Sequence, residues 1–404
     1  MSFVSRILSR PRAAVTSSRE LQKLLEAQHA TDSGAVVTTD SAMRVAAVWA
    51  CVRVLSETLA SVPLILYERT KTGKRRAPEH WAYRLLHEQP NAWQTPYGFK
   101  ETLQANLVPG GNGYAIKTVV GTEVQELLPV AHHRVTIQQD ELLRVAYLVT
   151  MPDGSTLPVP QERMFHLVGF SFDGLRGVSP IAYHREAIGL TMQLVQHGAR
   201  LFKQGASVRG VLEHPARLTK EAYDRLKASF DETYAGVEQA HKTAILEEGV
   251  KYSKIAMTAD EAQFLESRKY QRTEIAGIFR VPPHLIGDLE RATFTNVEHQ
   301  SLEFVKFSMT PWFVRWEEQI TRSIIPPRDR ARFFAEFLVD GLLRGDQKSR
   351  YDAYRTAITT GWMSRNEARV LENMDPQDGL DEFLTPLNMA AGDEPAPDKK
   401  ATAA

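Results

Sequence analysis

The sequence predicts an α+β fold from three changes of rhythm. Apolar residues recur at helical spacing over 41–62, at a period of two through 114–168, and again at helical spacing in long spans after residue 179. Short period-two runs between turn signals make a mostly antiparallel sheet, and long helical spans closed by prolines make a helical second half. A chain of 404 residues has room for two or three domains.

Taken in order, the first helix covers 41–62, with Val45, Val48, Trp49, Val52, Leu55, Leu59 and Val62 on one face. Asp40 or Ser41 caps it and Pro63 stops it. A short strand follows at 64–67, and the basic run 71–76 around Gly73 reads as a solvated hairpin turn. A helix at 95–107 is broken by Gly110-Gly111-Asn112-Gly113. Strands are then expected at 114–120, 124–128, 134–138, 146–150 and 165–168, with turn signals at Gly121, Pro129, Asp140, Gly154 and 158–160.

Ser179 as N-cap and Pro180 at the first helical position open a long helix ending near Gly205. A small β-α-β-β unit comes next: a strand at 208–213, a helix capped by Thr219 running to 234, and strands at 243–247 and 252–255. The span 260–279 is a second long helix with acids in its first turn, as the helix dipole prefers, and it ends before Val281-Pro282-Pro283. Residues 284–296 lack periodicity and read as a loop, long enough to suggest function. A third helix, 297–325, contains Pro311 and must kink. A strand at 332–338 and a helical pair at 347–359 and 364–371, turned by Gly361, close the pattern.

Composition removes several function classes. The 49 Lys and Arg balance the 49 Asp and Glu, so the chain lacks the bulk positive charge that holds a protein on DNA. Its one cysteine, Cys51, lies in an apolar helical pattern, cannot form an internal disulfide and reads as a core residue. No apolar stretch is long enough to span a bilayer. The first nineteen residues carry Arg6, Arg10, Arg12 and Arg19 without an acid and read as a mobile basic arm, and 390–404 as a disordered tail. Neither a P-loop nor a complete dinucleotide fingerprint occurs, 169–174 has one residue too many for a nucleophile elbow, and the histidines make no zinc pattern. No catalytic residue, metal ligand or cofactor is expected.

Several segments together resemble a known family. They are Ala47-Val-Trp-Ala-Cys-Val-Arg53 with the residues up to Pro63, Gly110-Gly-Asn-Gly-Tyr-Ala115 and Gly177-Val-Ser-Pro-Ile181. To these add 274–287, Ala292-Thr-Phe-Thr-Asn296 and 361–369. In this order and spacing the chain, from about Ala42 to Met389, resembles the portal proteins of long-tailed bacteriophages and gene transfer agents. It departs at Arg280, where members of that family often carry glycine.

The resemblance implies a portal fold: an arm (1–40), an α/β wing (41–176), stem helices (177–205 and 258–281) and a small α/β clip (206–257). It further implies a tunnel loop (282–296), a kinked wing helix with its strand (297–340), a helical crown (341–389) and a tail (390–404). It implies a ring of twelve copies at one capsid vertex of the virion, assembled in the host bacterial cytoplasm. Double-stranded DNA passes through that ring in packaging and ejection, without sequence specificity. The implied partners are the large terminase, the major capsid protein and scaffold, and the head-tail adaptor, with no membrane. Asp288, Glu290, Arg291, Thr293 and Phe294 are then expected to line the narrowest part of the bore. Asp231, Glu232 and Glu238 are expected to help dock the motor. Neutral net charge suits a conduit, because many phosphate contacts would grip DNA instead of letting it slide. The alternative from another class is a soluble α+β hydrolase or nuclease with a site assembled from distant residues.

Overall fold

Thr38 and Ser41 form a reciprocal capping box that starts α1 (Thr39–Met43). The expected single helix over 41–62 is therefore two, because the chain turns at Arg44 and Val45 before α2 (Ala46–Ser61). The computed structural model describes residues 30–71, 73–203, 210–213, 219–225, 251–254, 259–289, 294–339, 342, 347–372 and 374–384. β1 (Leu64–Thr70) and β2 (Gly73–Arg76) form a hairpin, so that most of the basic run expected as its turn is its second strand. Two of its cations are met by its own sheet, since Arg75 pairs with Glu68 and Lys74 with Glu336.

A short helix, α3 (Trp81–Tyr83), runs on as a π turn over Arg84–Glu88 and was not legible in the sequence. Its buried residues, Ala82, Leu85 and Leu86, are too few to set a period. α4 (Pro96–Gly110) starts at the Thr95 cap and ends at Gly111, whose φ of 73° is left-handed.

Six antiparallel strands follow in two sheets. The first has the order β4 (Glu123–Val130), β3 (Asn112–Val120), β8 (Met164–Val168). The second is β5 (Val135–Gln139), β6 (Val145–Thr150), β7 (Thr156–Pro160). β7 corrects an expectation: 158–160 is a strand and not a turn. Proline cannot donate to a ladder, yet an edge strand tolerates it where the missing N–H would face outward. Alternation along β3 and β8 sorts the core: Ala115, Phe165 and Leu167 face the helices, while Tyr114 and Met164 join a smaller cluster with Ile137, Tyr147, Val149 and Val159 of the second sheet. At the far tip of β5–β6, Leu142 and Leu143 stand largely in solvent.

The helix expected from 179 is also divided, into α5 (Pro180–Tyr183) and α6 (Arg185–Lys203), because His184 leaves helical geometry between them. Of the small β-α-β-β unit, β9 (Gly210–Glu213) and β10 (Lys251–Lys254) pair antiparallel. Thr219 caps the N–H of Ala222 there, and the strand expected at 243–247 lies outside the described residues. α7 (Ala259–Ile278) packs along α6.

α8 (Phe294–Glu303) passes through a π turn (Phe304–Met309) into α9 (Thr310–Ser323). The kink demanded by Pro311 thus takes the form of a widened turn. Proline has no N–H for the carbonyl four residues back and crowds it, and the wider spacing relieves this. Both the backbone N–H and the hydroxyl of Thr310 bond the Val305 carbonyl. At the other end of α9, Lys117 donates to the Ser323 carbonyl at 2.7 Å and Arg330 to that of Ile325 at 3.0 Å, so two cations close the helix C-terminus.

Trp316 of α9 is the centre of the main core. Its indole N–H donates to Gln104 at 2.9 Å, and its ring meets Phe99, Phe165 and β11 (Phe333–Phe337) through Phe337. β11 pairs with β1 on the edge opposite β2. The helices α10 (Gln347–Thr359) and α11 (Arg365–Leu371) form the expected pair, joined by Arg350 and Tyr354 to Glu372 and opened by a Ser364–Glu367 capping box.

Candidate functional site

Two constructions stand out around the residues that the sequence singles out, one at the glycine motifs and one at the loop. The first is a lock between two distant turns. The amide of Asn112 donates to the Gly177 carbonyl at 3.0 Å, and the Gly177 N–H donates back to Asn112 Oδ1 at 2.8 Å. Gly169 N–H donates to the Gly111 carbonyl at 2.8 Å. A β-carbon on Gly177 would lie 1.7 Å from that same oxygen, so glycine is required by the close approach. Ser179, while capping α5, also donates to the Pro109 carbonyl at 2.7 Å.

His166 extends the lock into the smaller core. Its Nδ1 meets the Tyr147 hydroxyl and its Nε2 meets Asn112 Oδ1, each at 3.1 Å. The amide oxygen accepts, so Nε2 carries the proton and Nδ1 accepts from Tyr147. Burial pushes the imidazole down to about 4, so it is neutral at pH 7. Arg315 of α9 clamps the strand end by donating to the Val168 and Gly169 carbonyls at 3.1 and 2.9 Å.

The second construction anchors the loop after α7. Val281 N–H bonds the Ala276 carbonyl and Arg280 N–H that of Gly277, a Schellman ending with Arg280 at the left-handed position, φ 57°. Here glycine is the residue the backbone favours, so Arg280 holds the position at a cost in conformational energy. Pro283–Ile286 makes a 3-10 turn closed by Gly287 at φ 82°. His284 donates from Nδ1 to Gln300 at 2.8 Å, and Ser308 donates to the Arg280 carbonyl at 2.6 Å. Leu285 and Ile286 pack on the main core, and Leu289 is exposed.

The loop is therefore shorter than 284–296. Asp288 sits at its half-buried root, with its N–H on the Pro283 carbonyl at 3.0 Å. Phe294 is corrected from loop to first residue of α8, because apolar periodicity marks a helix only where its buried face begins. Glu290, Arg291 and Thr293 lie outside the described residues, as do Asp231, Glu232 and Glu238. Sequence reasoning quoted the glycine motifs at 110–113 and 177–181 without seeing that they meet. It missed Arg315 and Ser308, whose types carry no signal of their own. Among the described residues no three His, Cys, Asp or Glu side chains are grouped as a metal ion needs, and no helix is long and apolar enough to cross a membrane.

Compared with known proteins, residues 46–373 match the family described as phage portal protein. The chain belongs to that family. Its portal relatives include the probable portal protein of Streptomyces phage phiC31, 35% identical over 389 residues, covering 90% of this chain and 83% of that one. The portal protein of Enterobacteria phage HK97 is 32% identical over 352 residues, covering 85% and 82%. A chain in the neck of a native gene transfer agent particle, computed with C12 symmetry, shares the portal fold with a TM-score of 0.60 at 22% identity, covering 84% of this chain and 94% of that one. The α+β class and its mixture of helices with small sheets are those of this fold.

Proposed function

We propose that the chain forms a closed ring of twelve copies at one capsid vertex of a virion, a structural conduit that catalyses no reaction. Double-stranded DNA passes through it in packaging and ejection. The large terminase docks on it first and the head-tail adaptor later, with the major capsid protein and scaffold around it during assembly in the bacterial cytoplasm. The family match across 46–373 carries this reading. The twelvefold symmetry of the gene transfer agent neck supports the copy number. In the same reading 206–257 is the clip that meets the motor through Asp231, Glu232 and Glu238, the residues Asp288, Glu290, Arg291, Thr293 and Phe294 line the bore, and 341–389 is the crown. The anchored root of that loop suits a projecting element, since the Arg280 carbonyl accepts from Ser308, Leu285 and Ile286 pack on the main core, and His284 is bonded to Gln300 of α8.

Light scattering with negative-stain imaging of one purified fraction tests the proposal. Twelve chains of 45.5 kDa should weigh about 546 kDa and show a central hole. A compact dimer or tetramer without a hole overturns it.

A further inference from the structure

Two exposed aromatic surfaces on the described residues involve α2 or the cavity beside it. The first is formed by Phe170, Phe172 and Tyr183, which are 62%, 73% and 67% exposed. Their rings lie 5.1 and 6.3 Å apart in succession. They rim a cavity of about 350 Å³ lined by Leu55, Trp312 and Ile278, with Arg280 and Arg315 also on its wall. Exposed apolar surface beside a concave apolar site is the usual mark of an interaction surface.

The second patch lies across α2 and α4. Trp49 is 51% exposed. Arg53 donates to Glu57 at 2.7 Å, and the Tyr97 hydroxyl meets Glu101 at 3.5 Å. Arg53 also feels Glu101 and Tyr97, so the two helices carry one shared cluster with an excess of one negative charge. At 3.6 residues per turn, Trp49, Arg53 and Glu57 lie about 120 to 200° round α2 from Leu55. One face of α2 thus contributes to the cavity while the other carries the acidic aromatic patch.

We infer that the aromatic cavity of one copy receives the Trp49, Tyr97 and Glu101 face of the next copy, as a head-to-tail contact. This rests on the ring reading proposed above. The charges are complementary, arginines on the cavity wall against Glu57 and Glu101. Pairing like patches around a twofold axis would bury one of them and leave the other in water on both copies. A contact between unlike patches covers both on every copy, and it is the type that closes into a ring.

Cross-linking of the full chain tests the contact. Trp49→Cys and Phe172→Cys are exposed positions, and native Cys51 does not compete, because burial pushes its thiol up to about 12. A short bis-maleimide should turn the double variant into a ladder of covalent multiples on a denaturing gel. Either single variant alone should give none, and their equimolar mixture should stop at dimers. Rings seen in negative stain without the ladder overturn this contact and leave the ring reading standing. Dimers from one single variant alone indicate a twofold contact and overturn it too. A dimer or tetramer without a hole removes both the contact and the ring reading.

Discussion

Arg280 holds a backbone conformation that costs an L-residue about 1 kcal/mol and costs glycine almost nothing. Arg280→Gly is therefore expected to raise stability in denaturant titration by only about 0.5 kcal/mol, the relieved strain less the entropy that glycine adds to the unfolded chain. His166 gives the pH dependence. Its pKa is near 4 when folded against 6.5 for the free side chain, so the unfolded chain binds more protons between those values. Stability should fall as pH drops from 6.5 toward 4, by about 3 kcal/mol from this group. His80 and His132, also held low by burial, act in the same direction. His166→Gln should remove part of the slope and leave theirs, as followed by unfolding curves at several pH values. At this scale the sequence marked Arg280 and Gly177 as positions, through the resemblance, and the backbone reasons for them came from the structure. The sequence was silent for Arg315, whose role is set by carbonyls nearly 150 positions away.

Among the elements, α9 shows how a helix end depends on another element. Lys117 reaches it from β3 and is buried, which lowers its pKa to about 8, yet its ammonium closes the Ser323 carbonyl. Lys117→Met should cost about 1 to 3 kcal/mol of stability, because the Ser323 carbonyl loses the charged donor that the buried Lys117 gives it. Faster hydrogen exchange in the last turn of α9 than in the rest of the helix would locate the effect there. Most elements were legible: strands β3 to β6 and β8, the helix after Thr95 and the interruption at Pro311 all announce themselves by period or cap. The misses share a cause. β7 carries two prolines that local rules assign to turns, and only its place at a sheet edge admits them. The break at His184 lies within a helical pattern, where the chain leaves the glycine lock for the long α6. The candidate loop was found by its lack of periodicity, but its ends were not, since the 3-10 turn and the first turn of α8 lack periodicity as well.

For the whole molecule, equal numbers of acids and bases fit a passage that should not hold DNA. Glu290→Lys would change the loop charge by two in every copy of a ring. Capsids carrying it should form in normal number but with fewer DNA-filled heads, as counted by particle density; unchanged packaging would remove Glu290 from the bore. The two cores also divide the chain's tolerance to change. The sheet of β5 to β7 packs on a small apolar cluster that it shares with β3, β4 and β8, and its β5–β6 tip, with Leu142 and Leu143 in solvent, stands outside both cores. A short epitope spliced at that tip should leave the fold intact. On a ring it would repeat once per copy, so antibody fragments bound there would mark the orientation of each particle in an image.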